Sequence, residues 1–136
     1  MKATMLLCDY AEELAGKLYM MGAGWDRVVV GQPFNVALAV VLGVPWDQTN
    51  QTLDLRAALV DQDGLRVLNE QEEPIEITGK FEVGRPAGTP HGSELHLPFV
   101  VRFSQVVLEP GLYSFKLEVG PDEVARATFH AVGGGA

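Results

Sequence analysis

The sequence predicts an all-β protein, an antiparallel β-sandwich of seven to nine strands with one short helix near the N-terminus. The first observation is a period of two in the segment 113–119, which is typical of a strand with one face in the core and one in water. The second is turn chemistry at both ends of this segment, Pro110-Gly111 before it and Gly120-Pro121-Asp122 after it. Its inward residues are predicted to be Tyr113, Phe115, Leu117 and Val119.

A third observation concerns the tyrosine at the mouth of the same strand. The pattern Gly111-x-Tyr113 is that of the tyrosine corner of immunoglobulin-like sandwiches. In such a corner the ring packs inward and the hydroxyl bonds to nearby backbone. The predicted fold class is therefore an immunoglobulin-like antiparallel β-sandwich.

The N-terminal part of the chain is predicted to hold three short strands and the helix. The strands cover 3–8, 17–21 and 28–30. Between the first two, Asp9 and Glu12 have the spacing of a helix capping box. Gly16 can adopt the left-handed conformation that commonly ends a helix. A helix of one or two turns is therefore predicted over 9–16.

The segment 35–44 is predicted to be the most apolar strand, and both of its faces are apolar. A half-exposed antiparallel strand would carry polar residues on its second face. We therefore expect the second face to form an interface with another chain; the alternative is cover from within the chain, by the segment 9–16 or the loop 84–92. The second face consists of Ala37, Ala39, Val41 and Gly43.

The remaining strands show the same period of two. They are predicted over 52–61, 65–68, 75–83, 95–107 and 124–132. An Asp63-Gly64 turn is expected to join the first two as a hairpin. The segment 84–92 holds three glycines and two prolines, and it is predicted to be the longest loop.

The length and net charge of the chain limit the number of domains and the kinds of partner that it can have. The chain has 136 residues, which predicts one domain over 1–132 followed by a Gly-rich tail over 133–136. Ten basic against eighteen acidic residues give a net charge of −8, which disfavours nucleic acid and anionic membranes as partners. The single cysteine, Cys8, is predicted to be a buried, inert thiol in a reducing compartment. We expect a cytoplasmic protein, or a virion protein if it is phage-encoded.

No residue pattern indicates catalysis, a cofactor or a metal. Asp61-Gln62-Asp63-Gly64 resembles the start of a calcium loop, but Arg66 stands where that loop requires glycine, so a hairpin turn is the stronger interpretation. No serine lies in the strand-turn-helix elbow of a nucleophile. A ligand pocket would be expected near Trp25, Trp46 and the loop 84–92. The histidines are too far apart in sequence for a local metal motif, at His91, His96 and His130.

Several short motifs occur in order along nearly the whole chain. They are Leu6-Leu7-x-Asp9-x-Ala11, Gly16-Lys17-Leu18-Tyr19, Gly22-x-Gly24-Trp25, Val44-Pro45-Trp46-Asp47, Asp63-Gly64, Val83-Gly84-Arg85-Pro86 and Leu108-x-Pro110-Gly111-x-Tyr113. Together they resemble a family of small bacterial and phage-borne proteins of unknown function. The resemblance implies an immunoglobulin-like fold, and it implies no activity, cofactor or catalytic residue.

The predicted function is that of a non-catalytic structural or protein-binding module. Such a module would be a subunit of a homo-oligomer or of a larger assembly such as a phage particle. The alternative is a small-ligand-binding protein or an enzyme that uses a pocket near Trp25, Trp46 and the loop 84–92. Exposed apolar sheet faces or edges would favour the first function, and a concave pocket with convergent polar groups would favour the second.

Overall fold

The computed structural model describes residues 1–134, and this part of the chain forms nine β-strands and no α-helix. Its one helical turn is a 3-10 turn at Trp46–Gln48. The all-β prediction is confirmed, and no helix of the described residues has the length and apolar character that a bilayer crossing requires. The strands are β1 (Lys2–Leu14), β2 (Lys17–Ala23), β3 (Arg27–Val30), β4 (Phe34–Val44), β5 (Thr52–Asp61), β6 (Glu76–Glu82), β7 (Leu95–Val106), β8 (Gly111–Val119) and β9 (Asp122–Gly133).

The strands form two sheets that share one core. Four strands form a sheet in the order β2-β1-β4-β7, and five form a second sheet in the order β3-β9-β8-β5-β6. Neighbouring strands are antiparallel, except that β3 and β9 are parallel. Side chains of both sheets meet in one buried cluster, to which Leu38 and Val40 of the four-stranded sheet and Leu59 and Phe115 of the five-stranded sheet belong.

The strand β8 has the inward face that its period of two predicts. Phe115, Leu117 and Val119 are all buried. The ring of Phe115 lies 5.0 Å from that of Phe103 on β7, and 5.7 Å from that of Phe129 on β9. Phe115 therefore joins the two sheets at the centre of the core.

The Tyr113 hydroxyl donates a hydrogen bond of 2.8 Å to the carbonyl oxygen of Glu109, as the corner pattern predicts. Burial raises the pKa of this hydroxyl.

Tyr113→Phe is expected to lower the free energy of unfolding by about 0.5–1.5 kcal/mol, because one hydrogen bond is lost while the ring stays stacked on Phe129. Chemical denaturation measures this loss. Tyr10→Phe is the control, since the Tyr10 hydroxyl bonds only to the exposed side chain of Glu12. Equal losses in the two variants would contradict a structural role for the corner.

The predicted helix over 9–16 is wrong. Residues 9–14 continue β1, and Ala15 and Gly16 form a two-residue turn into β2, with φ of 52° and 77°. Positive φ at both turn residues matches the right-handed twist of the flanking strands. The Glu13 carboxylate accepts the N–H of Gly16 at 3.0 Å, so the acidic side chain supports a hairpin turn rather than a helix cap.

The hairpin β1–β2 bends at Asp9 and Gly22. β1 pairs with β4 only as far as Cys8, whereas its pairing with β2 continues to the turn. Gly22 has φ of 61°, a conformation that glycine adopts without strain. Residues 9–22 thus extend beyond the pairing with β4, and we call them the hairpin arm.

Gly22→Ala is expected to destabilise the protein more than Gly24→Ala. Both glycines have positive φ, 61° and 88°, so each alanine adds about 1–3 kcal/mol of backbone strain. A Cβ at Gly22 would also overlap the side chain of Asp9, whereas a Cβ at Gly24 would have no neighbour within 4 Å. Thermal unfolding compares the variants, and equal melting temperatures would show that the contact with Asp9 does not hold the bend.

Two segments around β6 lack regular strands. The predicted strand over 65–68 is not formed, and only isolated bridges join Val60 to Arg66 and Leu68 to Pro74. The segment instead lies along β5 through single backbone contacts, one of which is the Val67 N–H bond to the Leu59 carbonyl at 3.1 Å. The loop 84–92 has no strand, as predicted.

The predicted tail over 133–136 falls partly within the described residues. Gly133 is the last residue of β9, and the N–H of Gly134 donates to the carbonyl of Val30 at 3.2 Å. Gly135 and Ala136 lie outside the described residues.

Candidate functional site

The second face of β4, which was expected to meet another chain, is largely covered within this chain. Ala37 and Ala39 are 2% and 3% exposed. Gly43 is buried, and a Cβ there would meet the carboxylate of Glu94. Val41 is half-buried. The cover over Ala37 and Ala39 is the segment 9–16, the intramolecular alternative foreseen from the sequence, in the form of a strand instead of a helix.

The hairpin arm is anchored on this face by apolar packing and by one arginine. Ala11 is fully buried, and Arg102 of β7 donates a hydrogen bond of 2.8 Å to its carbonyl oxygen. The Arg102 guanidinium also lies 5.3 Å from the centre of the Tyr10 ring, within cation–π range. Burial under the arm raises the pKa of the Cys8 thiol, so the reactive thiolate is disfavoured. The apolar contacts beneath the arm are made by Cys8, Ala11, Leu18, Ala37, Ala39 and Val100.

The hairpin β1–β2 exposes a group of apolar side chains. Residues directly opposite in an antiparallel pair share a face, so Tyr10 and Met21 are neighbours, and Tyr19 lies opposite Glu12. Met21 is 67% exposed and Tyr19 is 50% exposed. Exposed aromatic and methionine side chains in one group are the composition of a protein interface. The exposed apolar residues of the hairpin are Leu6, Tyr10, Leu14, Tyr19, Met20 and Met21.

The outer face of the five-stranded sheet has the opposite character. Arg56 contacts Glu76 at 2.8 Å and Glu118 at 3.7 Å. Arg126 makes two bonds to Glu123, which lower the pKa of the Glu123 carboxyl. Such paired charges suit a face that stays in water. Most of the large apolar side chains that the two sheets expose therefore lie on the hairpin β1–β2.

Trp25 and Trp46 line separate hollows. Trp25 packs edge-on against Phe129 with ring centres 5.7 Å apart, beside a hollow of about 400 Å³. The guanidinium of Arg85 lies 4.1 Å from the centre of the Trp46 ring, and the His91 ring lies 4.8 Å from it. The loop 84–92 thus packs on Trp46, and its Gly92 lines the same hollow, whereas Trp25 lines a different one.

A hollow of about 440 Å³ lies between the end of β7 and the loop before β6. Among its described lining residues Ser104 is the only one with a hydroxyl group, Glu70 and Glu76 supply carboxylates, and none is a histidine that could act as a base. Elsewhere, the Ser114 hydroxyl is hydrogen-bonded to that of Thr128 at 2.8 Å. The polar part of the lining comes from Asn69, Glu70, Gln71, Glu76, Ser104 and Gln105.

The acidic residues at the end of β5 form a turn. The sequence favoured this interpretation over a calcium-binding loop. One carboxylate oxygen of Asp61 accepts the N–H groups of Asp63 and Leu65 at 2.9 and 3.0 Å. Gly64 has φ of 80° and donates its N–H to the Asp61 carbonyl. Across residues 1–134, no three histidine, cysteine, aspartate or glutamate side chains are grouped so that they could hold one metal ion.

The outer surface of the hairpin arm was missed as a site by sequence reasoning. A signal was present in Tyr19-Met20-Met21, three consecutive apolar residues in a short strand. A strand with one buried face does not account for such a run, because adjacent side chains point to opposite faces. The run therefore indicated a strand with apolar side chains on both faces, and all three residues are exposed in the structure.

Comparisons with known proteins show a family and a distant structural likeness. The family model described as "Family of unknown function (DUF6941)" matches residues 3–132. No curated protein matches the chain. Among solved structures, the chain is similar to the Pseudomonas fluorescens alkylpurine DNA glycosylase AlkC bound to DNA containing an abasic site analog, at 12% identity and a TM-score of 0.42. The match covers 94% of this chain and 30% of that chain, and a likeness this low does not bear on function.

Proposed function

The chain belongs to DUF6941, a family of unknown function, and from that premise we propose that it is a non-catalytic protein-binding module that docks on its partner through the hairpin arm. The observation that carries this proposal is the exposed apolar group on the arm, in which Tyr19 and Met21 stand beside Tyr10. Water-exposed apolar groups of this kind favour burial against another protein.

The arm is held in place before any partner binds. Leu18 and the buried Ala11 fix its inner face, and the Arg102 hydrogen bond fixes its backbone. Docking on a surface that is already ordered loses little conformational entropy. A larger part of the free energy gained by burying apolar surface therefore remains as binding affinity. This supports a role in binding for the outer surface of the arm, beyond its role as a cover for β4.

We further propose that the two sheets form an immunoglobulin-like sandwich. The order β9-β8-β5-β6 corresponds to the strands G, F, C and C′ of that fold, and β1-β4-β7 corresponds to A, B and E. The Tyr113 bond to Glu109 lies at the start of β8, where strand F carries the tyrosine corner. In this proposal β1 is strand A, and the hairpin arm is an addition to the immunoglobulin-like framework.

The module is proposed to serve as a subunit of a homo-oligomer or of a larger assembly, such as a phage particle, in a bacterial cytoplasm or in a virion. The proposed origin rests on the ordered sequence motifs, from Leu6-Leu7 to the Tyr113 corner. The reducing compartment is supported by Cys8, which is free and buried. A subunit role is supported by the exposed apolar hairpin.

Site-specific photo-crosslinking in the native cells tests the docking surface. A photoreactive phenylalanine analogue at Tyr19 is expected to crosslink to a protein. Met21→Lys in the same chain should abolish the crosslink, because burial of a charge in an apolar contact is costly. The matched control is the same analogue at Leu65, which is exposed on the turn after β5 and should not crosslink. Equal crosslinking at both positions, or a crosslink insensitive to Met21→Lys, would contradict the proposal.

A further inference from the structure

We infer that the partner of the hairpin arm is a second copy of this chain, bound by antiparallel pairing of the two β2 strands. The inference rests on the proposed function and names the partner. An edge strand presents a row of unpaired N–H and C=O groups, and another strand can satisfy them. β2 is an edge of the four-stranded sheet, since it pairs only with β1.

The other three sheet edges carry features that oppose strand addition. β7 contains Pro98, which has no N–H to donate, and its regular backbone is interrupted at Gln105 with φ of 57°. β6 bears charged side chains at Glu76, Lys80 and Glu82. β3 has only four residues. Proline, charge, irregular backbone and shortness are the usual means of blocking an edge.

The edge of β2 lacks these features over Lys17–Met21. This stretch contains no proline, and Lys17 is its only charged residue. Its exposed apolar side chains are Tyr19, Met20 and Met21. An exposed apolar edge without blocking groups is a template for pairing with another strand. The irregular backbone at Gly22 marks the end of the pairing stretch.

A second copy fits this edge because the sequence of β2 complements itself. Antiparallel pairing about Tyr19 sets the two Tyr19 residues opposite each other, Leu18 opposite Met20, and Lys17 opposite Met21. Aromatic and apolar pairs directly opposite are stabilising, and like charges directly opposite are destabilising. No charge faces a like charge in this register. The arrangement has two-fold symmetry, so it closes as a dimer and joins the two four-stranded sheets into one.

The dimer is expected to respond to salt in a specific way. Each chain carries a net charge of −8, so two copies repel each other at long range. Salt screens this repulsion, while strand pairing and apolar contact are little affected. Added salt should therefore strengthen the dimer.

A charge-pair experiment on the purified full chain tests both the partner and the register. Size exclusion with light scattering is expected to show a dimer whose fraction rises with protein concentration. Tyr19→Lys and Tyr19→Glu should each weaken the dimer by about tenfold or more, because like charges then meet at the two-fold axis. An equal mixture of the two variants should recover the dimer. Such recovery would also show that both variants are folded.

The control and the contrary outcomes separate this inference from the proposed function. Leu65→Lys, on the exposed turn after β5, should leave the dimer unchanged. A wild-type chain that stays monomeric at every concentration would overturn the inference, as would a dimer that neither Tyr19 variant weakens. If the chain is monomeric while the analogue at Tyr19 crosslinks to a different protein, the proposed function stands and only the choice of partner fails.

Discussion

Phe115→Ala is expected to lower the free energy of unfolding by about 3–5 kcal/mol. Phe115 is fully buried and contacts aromatic rings of both sheets, Phe103 on β7 and Phe129 on β9. Its removal leaves a cavity that can close only if one sheet moves toward the other, so little of the loss is recovered. Domains of this size are stable by about 5–15 kcal/mol, and the variant should therefore lose a large share of its stability.

Denaturant unfolding followed by circular dichroism measures the loss. Lys116→Ala is the matched control, because Lys116 lies on the opposite face of β8 and forms an ion pair with the carboxylate of Glu118, at 3.4 Å. A partly exposed pair of this kind contributes about 0–1 kcal/mol. Leu117→Ala is expected to lower the free energy of unfolding by about 2–5 kcal/mol. It replaces Phe115→Ala in the comparison if Phe115→Ala does not fold. Equal midpoints for the inward and outward variants would contradict the assignment of faces.

Ala39→Lys is expected to release the hairpin arm from the four-stranded sheet. Ala39 belongs to the apolar cluster against which Leu18 of the arm packs, on the face of the sheet that also carries Arg102. A lysine there would be buried beside another cation, and such a charge costs several kcal/mol. Opening of the arm returns the charge to water and leaves the core between the sheets intact. We therefore expect a folded protein of lower stability whose arm is open.

Labelling of Cys8 reports the opening, because the thiol is buried beneath the arm. The wild type should react slowly with a thiol reagent under native conditions, and Ala39→Lys should react much faster. Val41→Lys is the control, since Val41 lies two residues further along the same face and is half-buried, so its ammonium group can reach water. Leu18→Ala should raise the labelling rate without adding a charge. A Cys8 that stays protected in Ala39→Lys would show that the arm does not depend on this contact.

Agreement between sequence and structure is closest where the period of two is clear. The predicted strand over 52–61 has the bounds of β5, and three of the four inward residues predicted for β8 are buried, while Tyr113 is half-buried. The hairpin arm shows where local signals fail. Asp9, Glu12 and Gly16 have the spacing of a helix cap and stop, yet the same Gly16 also suits a hairpin turn. Local propensity could not choose between the two.

The sequence by itself determined that the protein is all-β and that Phe115, Leu117 and Val119 of β8 point inward, because alternation along a strand is a local property of the chain. Only the tertiary structure decided what covers the second face of β4. That cover depends on contacts between distant positions, such as the hydrogen bond from Arg102 to Ala11 across 91 residues. The same contacts bury Ala39 and leave Tyr19 and Met21 in water. Because adjacent apolar residues of a strand point to opposite sides, the packing of the arm alone decides which of them becomes core and which becomes surface.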